Sequence, residues 1–267
     1  MFSLSARHSS KDFILKYSRG DPYLAGDIFA RRAKLANANN ENSDKPITLD
    51  DLKTAFLLCV YEYTSNPGRR SWVSAGNVVR MAYELGLHQI DTPTRDDEGS
   101  VGALSELAKE ERRHVWWCVW KLDSWVGISG ATPFVVDGQV VCTAFVSTSA
   151  VELADGQAGS LQQIFLNSDV ESAWGLMRDL QTSNEAKGDN MFIVANSLMR
   201  ETATIRAIQS HSPTRAIEDR HVIAINALSA LQLSLPPWFS QPVRNALGGE
   251  TSVQHKKRLQ VLTQLYM

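Results

Sequence analysis

A helix that is apolar on every side belongs in the middle of a helical bundle, and this sequence carries one. Val115, Trp116, Trp117, Val119, Trp120, Leu122, Trp125 and Val126 follow one another with few polar interruptions. The pattern predicts a helix over about 104–128, rich in Glu, Lys and Arg in its first half and ended near Ser129-Gly130. Trp116, Trp117, Trp120 and Trp125 lie within ten residues, and each can bury a large area as a core anchor. The run falls short of the ~18 apolar residues that a membrane span needs.

The rest of the chain punctuates itself into helices. Residues 12–35 read as two short helices around the Gly20-Asp21-Pro22 break. The Asn-rich stretch 36–46 reads as a flexible connector, and residues 1–11 read as loose. Thr48-Leu49-Asp50-Asp51 has capping-box spacing. The helix it opens places Leu52, Phe56, Cys59, Val60 and Tyr63 on one stripe and stops at Asn66-Pro67-Gly68. Ser71 can cap the next helix, whose stripe is Trp72, Ala75, Gly76, Val79 and Tyr83 and whose end is Gly86, suited to the left-handed position. So short a connection predicts an antiparallel pair.

Residues 91–102 read as a charged loop, 133–146 as an extended or hairpin-like excursion, and 160–180, 191–210, 217–233 and 252–266 as helical. Residues 182–190 read as a polar loop. The expected fold class is all-α, a multi-helix bundle of antiparallel helical hairpins with long loops.

The composition limits the chemistry. The net charge is -2 and the isoelectric point about 6.3, which supplies no basic footprint for nucleic acid. Cys59, Cys118 and Cys142 are widely spaced among apolar neighbours, so no zinc or redox pair can be drawn from them. The odd cysteine count, with no signal peptide and no glycosylation acceptor, fits a reducing intracellular compartment. Six histidines, His8, His88, His114, His211, His221 and His255, stand singly. Nucleotide-binding glycine motifs, the zinc-protease motif and the nucleophile elbow are absent, Gly127-Ile128-Ser129-Gly130 failing the last at its final position. No catalytic residue, metal ligand or cofactor is expected.

Two stretches carry a resemblance. The segment 72–88, Trp-Val-Ser-Ala-Gly-Asn-Val-Val-Arg-Met-Ala-Tyr-Glu-Leu-Gly-Leu-His, resembles the signature of the fungal-specific transcription factor domain. This domain, the middle homology region, accompanies zinc binuclear cluster DNA-binding modules. Glu110-Glu111-Arg112-Arg113-His114-Val115-Trp116-Trp117 with Leu122-Asp123 is similar again, and Thr132-Pro133 matches a small-residue–Pro step after this helix. The strong part spans about 48–137. The resemblance implies three segments: 1–47 as short helices and connector, 48–137 as the core, and 138–267 as the C-terminal helical part of the same domain.

Arg80, Gly86, His88, Arg112, Arg113, Trp116, Trp117, Asp123 and Pro133 are the motif residues, and they read as structural. Arg112 and Arg113 are expected to tie their helix to the neighbouring hairpin through carboxylates. A buried Asp123 needs a partner, for which Arg80 is the candidate. His88, just past a helix end, is placed to satisfy terminal carbonyls.

The implied function is nuclear transcription regulation by the regulatory domain of a transcription factor-like protein without its own DNA-binding module, either a shortened paralogue or a gene-cluster regulator. Its implied partners are other transcription regulators or a second copy of the chain, with room for an effector ligand, DNA engaged only indirectly and no membrane. The alternative from another class is a helical small-molecule-binding protein or enzyme, for which a pocket near Trp116, Trp120 and Trp125 would speak.

Overall fold

A computed structural model describes residues 22–41, 45–92, 104–157, 163–166, 187–212, 214–234 and 241–245, with isolated positions beyond them. Among the described residues the regular structure is helical, and the fold class is all-α. The chain forms two compact units, Met1–Leu87 and His88–Met267.

The first unit holds α1 (Pro22–Glu41), α2 (Leu49–Ser65) and α3 (Arg69–Glu84). Proline opens α1, where its missing N–H costs nothing. The helix runs on to Glu41, through residues expected to be a connector. No glycine or proline breaks the chain between Asp27 and Lys45, and Ala36 and Ala38 favour helix. The short helix expected before Gly20 and the loose start lie outside the described residues, apart from isolated positions.

Thr48 caps α2 as its spacing predicts. Its Oγ1 accepts the Asp51 N–H at 3.2 Å, and Asp51 Oδ2 accepts the Thr48 N–H at 3.0 Å. The buried face is broader than the predicted stripe, with Leu52, Leu58, Cys59, Tyr61 and Tyr63 inside while Phe56 and Val60 are half-buried. Both α1 and α3 pack on α2, so two sides of that helix are covered. Tyr61 donates to Asp27 of α1 at 2.6 Å, Lys34 of α1 pairs with Glu62, and Ser74 of α3 donates to the same Glu62 at 2.8 Å.

The α3 helix begins two residues before the expected cap. Ser71 is its third residue, and its Oγ accepts the Gly68 N–H at 2.9 Å. Ser71, Ala75, Gly76, Val78, Val79 and Ala82 are buried, whereas Trp72 is 42% exposed. Small side chains form the seam, and the bulky indole is turned outward. Gly86 ends α3 with φ +66 and donates its N–H to Tyr83 O at 3.0 Å, the left-handed role its position predicts.

The second unit holds α4 (Glu106–Gly130), α5 (Ala150–Ala154), α6 (Lys187–Gln209) and α7 (Arg215–Ser234). Ser105 Oγ accepts the Ala108 N–H at 3.2 Å to start α4, and Ala131 closes it in the left-handed conformation at φ 48. On α4 pack α5 and α6, and on α6 packs α7.

Two expectations are corrected here and a third is narrowed. Trp116, Trp117 and Trp120 are buried, but Trp125 is 44% exposed, so α4 is open on one side in its last turns rather than apolar-covered all round. Residues 133–148 form no hairpin: they run without regular structure but for a 3-10 turn at Gly138–Val140, bends at 135–136 and 147–148, and one isolated bridge at Ala144. They meet Ile164 and Phe165 instead: Phe145 N–H donates to Ile164 O at 2.7 Å, and Ala144 bridges Phe165. Those two residues, expected to be helical, are therefore extended, because a backbone partner was available to them. Most of the helix expected over 252–266 lies outside the described residues, as do 93–103 of the charged loop and 235–240.

Candidate functional site

The strap 133–148 has no sheet to satisfy its peptide groups, and a buried N–H or C=O left unpaired is costly. Side chains of α4 supply many of the partners: Glu110, His114 and Trp117 from one face and Asp123 from another, so that the strap crosses the helix. Near its start, Glu110 Oε1 accepts from Ser147 N at 2.6 Å, Thr148 N at 2.9 Å and Thr148 Oγ1 at 3.0 Å. One turn on, His114 Nε2 lies 2.9 Å from Thr148 O. Trp117 Nε1 donates to Ala144 O at 2.7 Å, and its ring stacks against Phe145 with centroids 5.2 Å apart. Two turns further, Asp123 receives Val135 N and Val136 N, each at 3.0 Å, one per carboxylate oxygen.

Two other elements complete this ladder. Arg200 of α6 donates to Asp123 Oδ2 at 2.9 Å, Ser124 Oγ at 3.0 Å and Val136 O at 2.8 Å, while its guanidinium lies 4.0 Å over the Phe134 ring. Asn190, also on α6, donates to Val146 O at 2.8 Å. Asp91, whose side chain is fully buried, accepts Ala144 N at 2.8 Å and pairs in a fork with Arg113 through Nε and Nη2. Arg113 Nη1 reaches Glu110 Oε2 at 3.0 Å.

The electrostatics follow from this arrangement. Burial opposes ionisation of Glu110, but the Thr148 and Ser147 N–H groups and Arg113 outweigh it and hold its pKa below the usual range. Burial would likewise lower Arg113, yet Asp91 and Glu110 raise it. Burial keeps His114 below its ordinary value despite the nearby Glu110, and lowers His88 also. In the first unit, burial pushes the Cys59 thiol up to about 12, with Glu62 adding to it, so this cysteine is no nucleophile.

The sequence-named residues distribute unevenly over this geometry. Arg113, Trp117 and Asp123 are ladder members. Trp116 is fully buried beside His88, with ring centroids 6.3 Å apart. His88 sits in the 3-10 turn Leu87–Gln89, where its backbone carbonyl accepts Cys142 N at 2.6 Å and so meets the strap. Pro133 is exposed, two residues past the left-handed Ala131. Arg80 is exposed on α3, and Gly86 ends that helix. Arg112 is half-buried with no ion pair among the described residues.

Two partner expectations change. Asp123 is held by Arg200 in place of Arg80. Arg113 ties α4 to Asp91 rather than to the preceding helical pair.

Glu110, Asp91, Arg200 and Asn190 escaped the sequence reading as site members. Glu110 alone had a signal, standing three residues before Arg113 in the motif. Gly127 is also required: a Cβ there would lie 2.5 Å from the Phe134 ring, so glycine is what lets the strap leave α4 closely. No group of three or more His, Cys, Asp or Glu among the described residues is arranged to hold a metal ion.

Comparison with known proteins agrees with the two motifs. The family model for the fungal specific transcription factor domain matches residues 1–139, just over half of the chain. The chain is 28% identical over 102 residues to the citrinin biosynthesis transcriptional activator mrl3 of Monascus ruber, covering 38% of this chain and 19% of that protein. It is 27% identical over 104 residues to the ascochitine biosynthesis cluster transcriptional regulator of Didymella fabae, covering 39% and 18%. To the transcription factor macR of Penicillium terrestre it is 30% identical over 173 residues, covering 53% and 19%. The matched part thus spans less than a fifth of each of these relatives. No solved structure matches the chain significantly. With its helical pair carrying the first motif and α4 the second, the chain belongs to the fungal-specific transcription factor domain family.

Proposed function

We propose that this chain is a regulatory domain in transcription, working in the nucleus through protein contacts with other regulators or a second copy of itself. The family match over residues 1–139 carries the reading. Its similarity to regulators named for the citrinin and ascochitine biosynthetic clusters favours a gene-cluster regulator.

The geometry supports a scaffold rather than a reaction centre. Glu110, His114, Trp117 and Asp123 of α4 are engaged in holding backbone groups, and Arg113 and Arg200 are consumed in buried ion pairs, unavailable to phosphates. A chain with net charge -2 then has little with which to displace DNA counterions. Arg113, Trp116, Trp117 and Asp123 act here as structural residues.

Tethering tests this directly. The chain fused to an unrelated DNA-binding module should change transcription of a reporter bearing that module's site, whereas the module alone should not. A fusion that reaches the nucleus at normal level and leaves the reporter unchanged would contradict the proposal.

A further inference from the structure

Between the ends of α6 and α7 the sequence reads Ser212-Pro213-Thr214-Arg215, with Pro213 outside the described residues. Ser212 and Thr214 are exposed. The Ser212 N–H donates to Ile208 O at 2.8 Å, but its hydroxyl bonds to none of the described residues, unlike that of Ser210, which donates to Ala207 O at 2.7 Å. The Thr214 carbonyl opens α7, accepting from Ile217 N at 3.0 Å and Glu218 N at 3.1 Å.

From this segment we infer that Ser212 is the acceptor site of a proline-directed protein kinase that reads a basic residue three positions on. Proline after the acceptor has no N–H to satisfy and a fixed φ, so it enters an extended-peptide groove at low entropic cost. Arg215 then offers a planar fork of donors to an anionic group of the enzyme. To lie extended, the segment needs the last bonds of α6, at Ile208 O, and the first of α7, at Thr214 O, to open, and helix ends are where local opening is easiest.

The chain supplies its own comparison. Three prolines follow a hydroxyl residue: Pro93, Pro133 and Pro213. Thr92-Pro93-Thr94-Arg95 repeats the pattern, and Thr92 is exposed. Thr132-Pro133-Phe134-Val135 lacks the cation, and its Oγ1 is buried.

In the reaction Ser212 Oγ attacks the γ-phosphorus of magnesium-ATP. The Oγ–P bond forms, the bond to the β-phosphate oxygen breaks, ADP departs, and the hydroxyl proton passes to the base of the kinase. The new group carries about -1.5 to -2 charge. It stands two residues before the residue that opens α7, at the positive pole of a 20-residue helix, and cancels the charge of Arg206 and Arg215 that flank Ser212.

The test incubates the whole chain with magnesium-ATP and a purified proline-directed kinase of that preference, followed by intact mass and peptide mapping. Phosphate is expected on Ser212, with or without a second on Thr92, and none on Thr132. Ser212→Ala should remove it, and Arg215→Gln should slow it roughly ten-fold, the loss of one charge-assisted contact. An unmodified Ser212, modification of Thr132 at a similar rate, or an Arg215→Gln chain modified as fast as wild type would overturn the inference.

Discussion

The α2–α3 pair and the strap beside α4 face the same problem, the satisfaction of peptide groups away from water, and solve it by different means. In the pair, nearly every peptide group is paired inside its own helix, and only the ends need help: Thr48 and Asp51 at one start, Ser71 at the other, Gly86 at a finish. The seam between the helices is then free to be apolar and small. The strap has little internal pairing beyond the turn at Asp137–Val140, so many of its donors and acceptors fall to Asp91, Glu110, Trp117, Asp123, Asn190 and Arg200. Helical regularity localises polar demand at termini, whereas an extended segment without a sheet spreads it over distant side chains. The strap is consequently the part whose integrity hangs on single polar residues.

The largest expected effects separate packing from polar satisfaction in the second unit. Trp116→Ala should destabilise by about 3–5 kcal/mol, since the indole is fully buried, while Trp125→Ala, largely exposed, should cost far less. Asp123→Ala should rival it at about 3–5 kcal/mol, because Arg200 and two peptide N–H groups lose their common partner. Denaturant unfolding of the three variants checks both statements. Equal, small losses would mean that the strap is not held as described.

Next in size is Gly127→Ala. The added methyl would meet Phe134 and should cost about 1–3 kcal/mol as overpacking, despite alanine's better helix propensity. A stabilised variant would show that the strap can move away freely. In the first unit, Thr48→Ala should cost only about 1 kcal/mol, the value of one helix cap. A loss as large as that of Asp123→Ala would erase the contrast between the two regions.

The same contrast explains what the sequence disclosed. Caps and terminators are local signals, so the start of α2 at Thr48 and the end of α3 at Gly86 were legible, and α4 lies within two residues of its expected bounds. The ladder was not. Asp123 and Arg200 are 77 residues apart, and Glu110 reaches Thr148 across 38, separations that periodicity cannot see. Ile164 and Phe165 looked helical by spacing, yet the backbone at residues 144–145 claimed them as extended partners. Trp125 misled in the other direction, because an apolar side chain is no guarantee of burial.

A smaller effect concerns pH. Burial holds His114 below its usual value of 6.5, so the folded state resists its protonation. The associated stability is complete above about pH 6.5 and is lost as the pH falls through that value toward the folded-state pKa. Glu110, held below the usual carboxylate range, adds a further loss at lower pH as its folded-state value is crossed. Unfolding free energy should therefore be lower at about pH 5.5 than at about pH 7.5. His114→Gln, which keeps a donor for Thr148 O, should reduce that difference. An unchanged difference would assign the effect to His88 and other groups.

Native-state amide hydrogen exchange examines the ladder most directly. Val135, Val136, Ala144, Ser147 and Thr148 each donate a peptide N–H to a buried carboxylate. These five amides should exchange far more slowly than unstructured chain, close to the rates within α4, and Asp123→Asn should selectively quicken Val135 and Val136. Exchange of all five at open-loop rates in the wild-type chain would contradict the account.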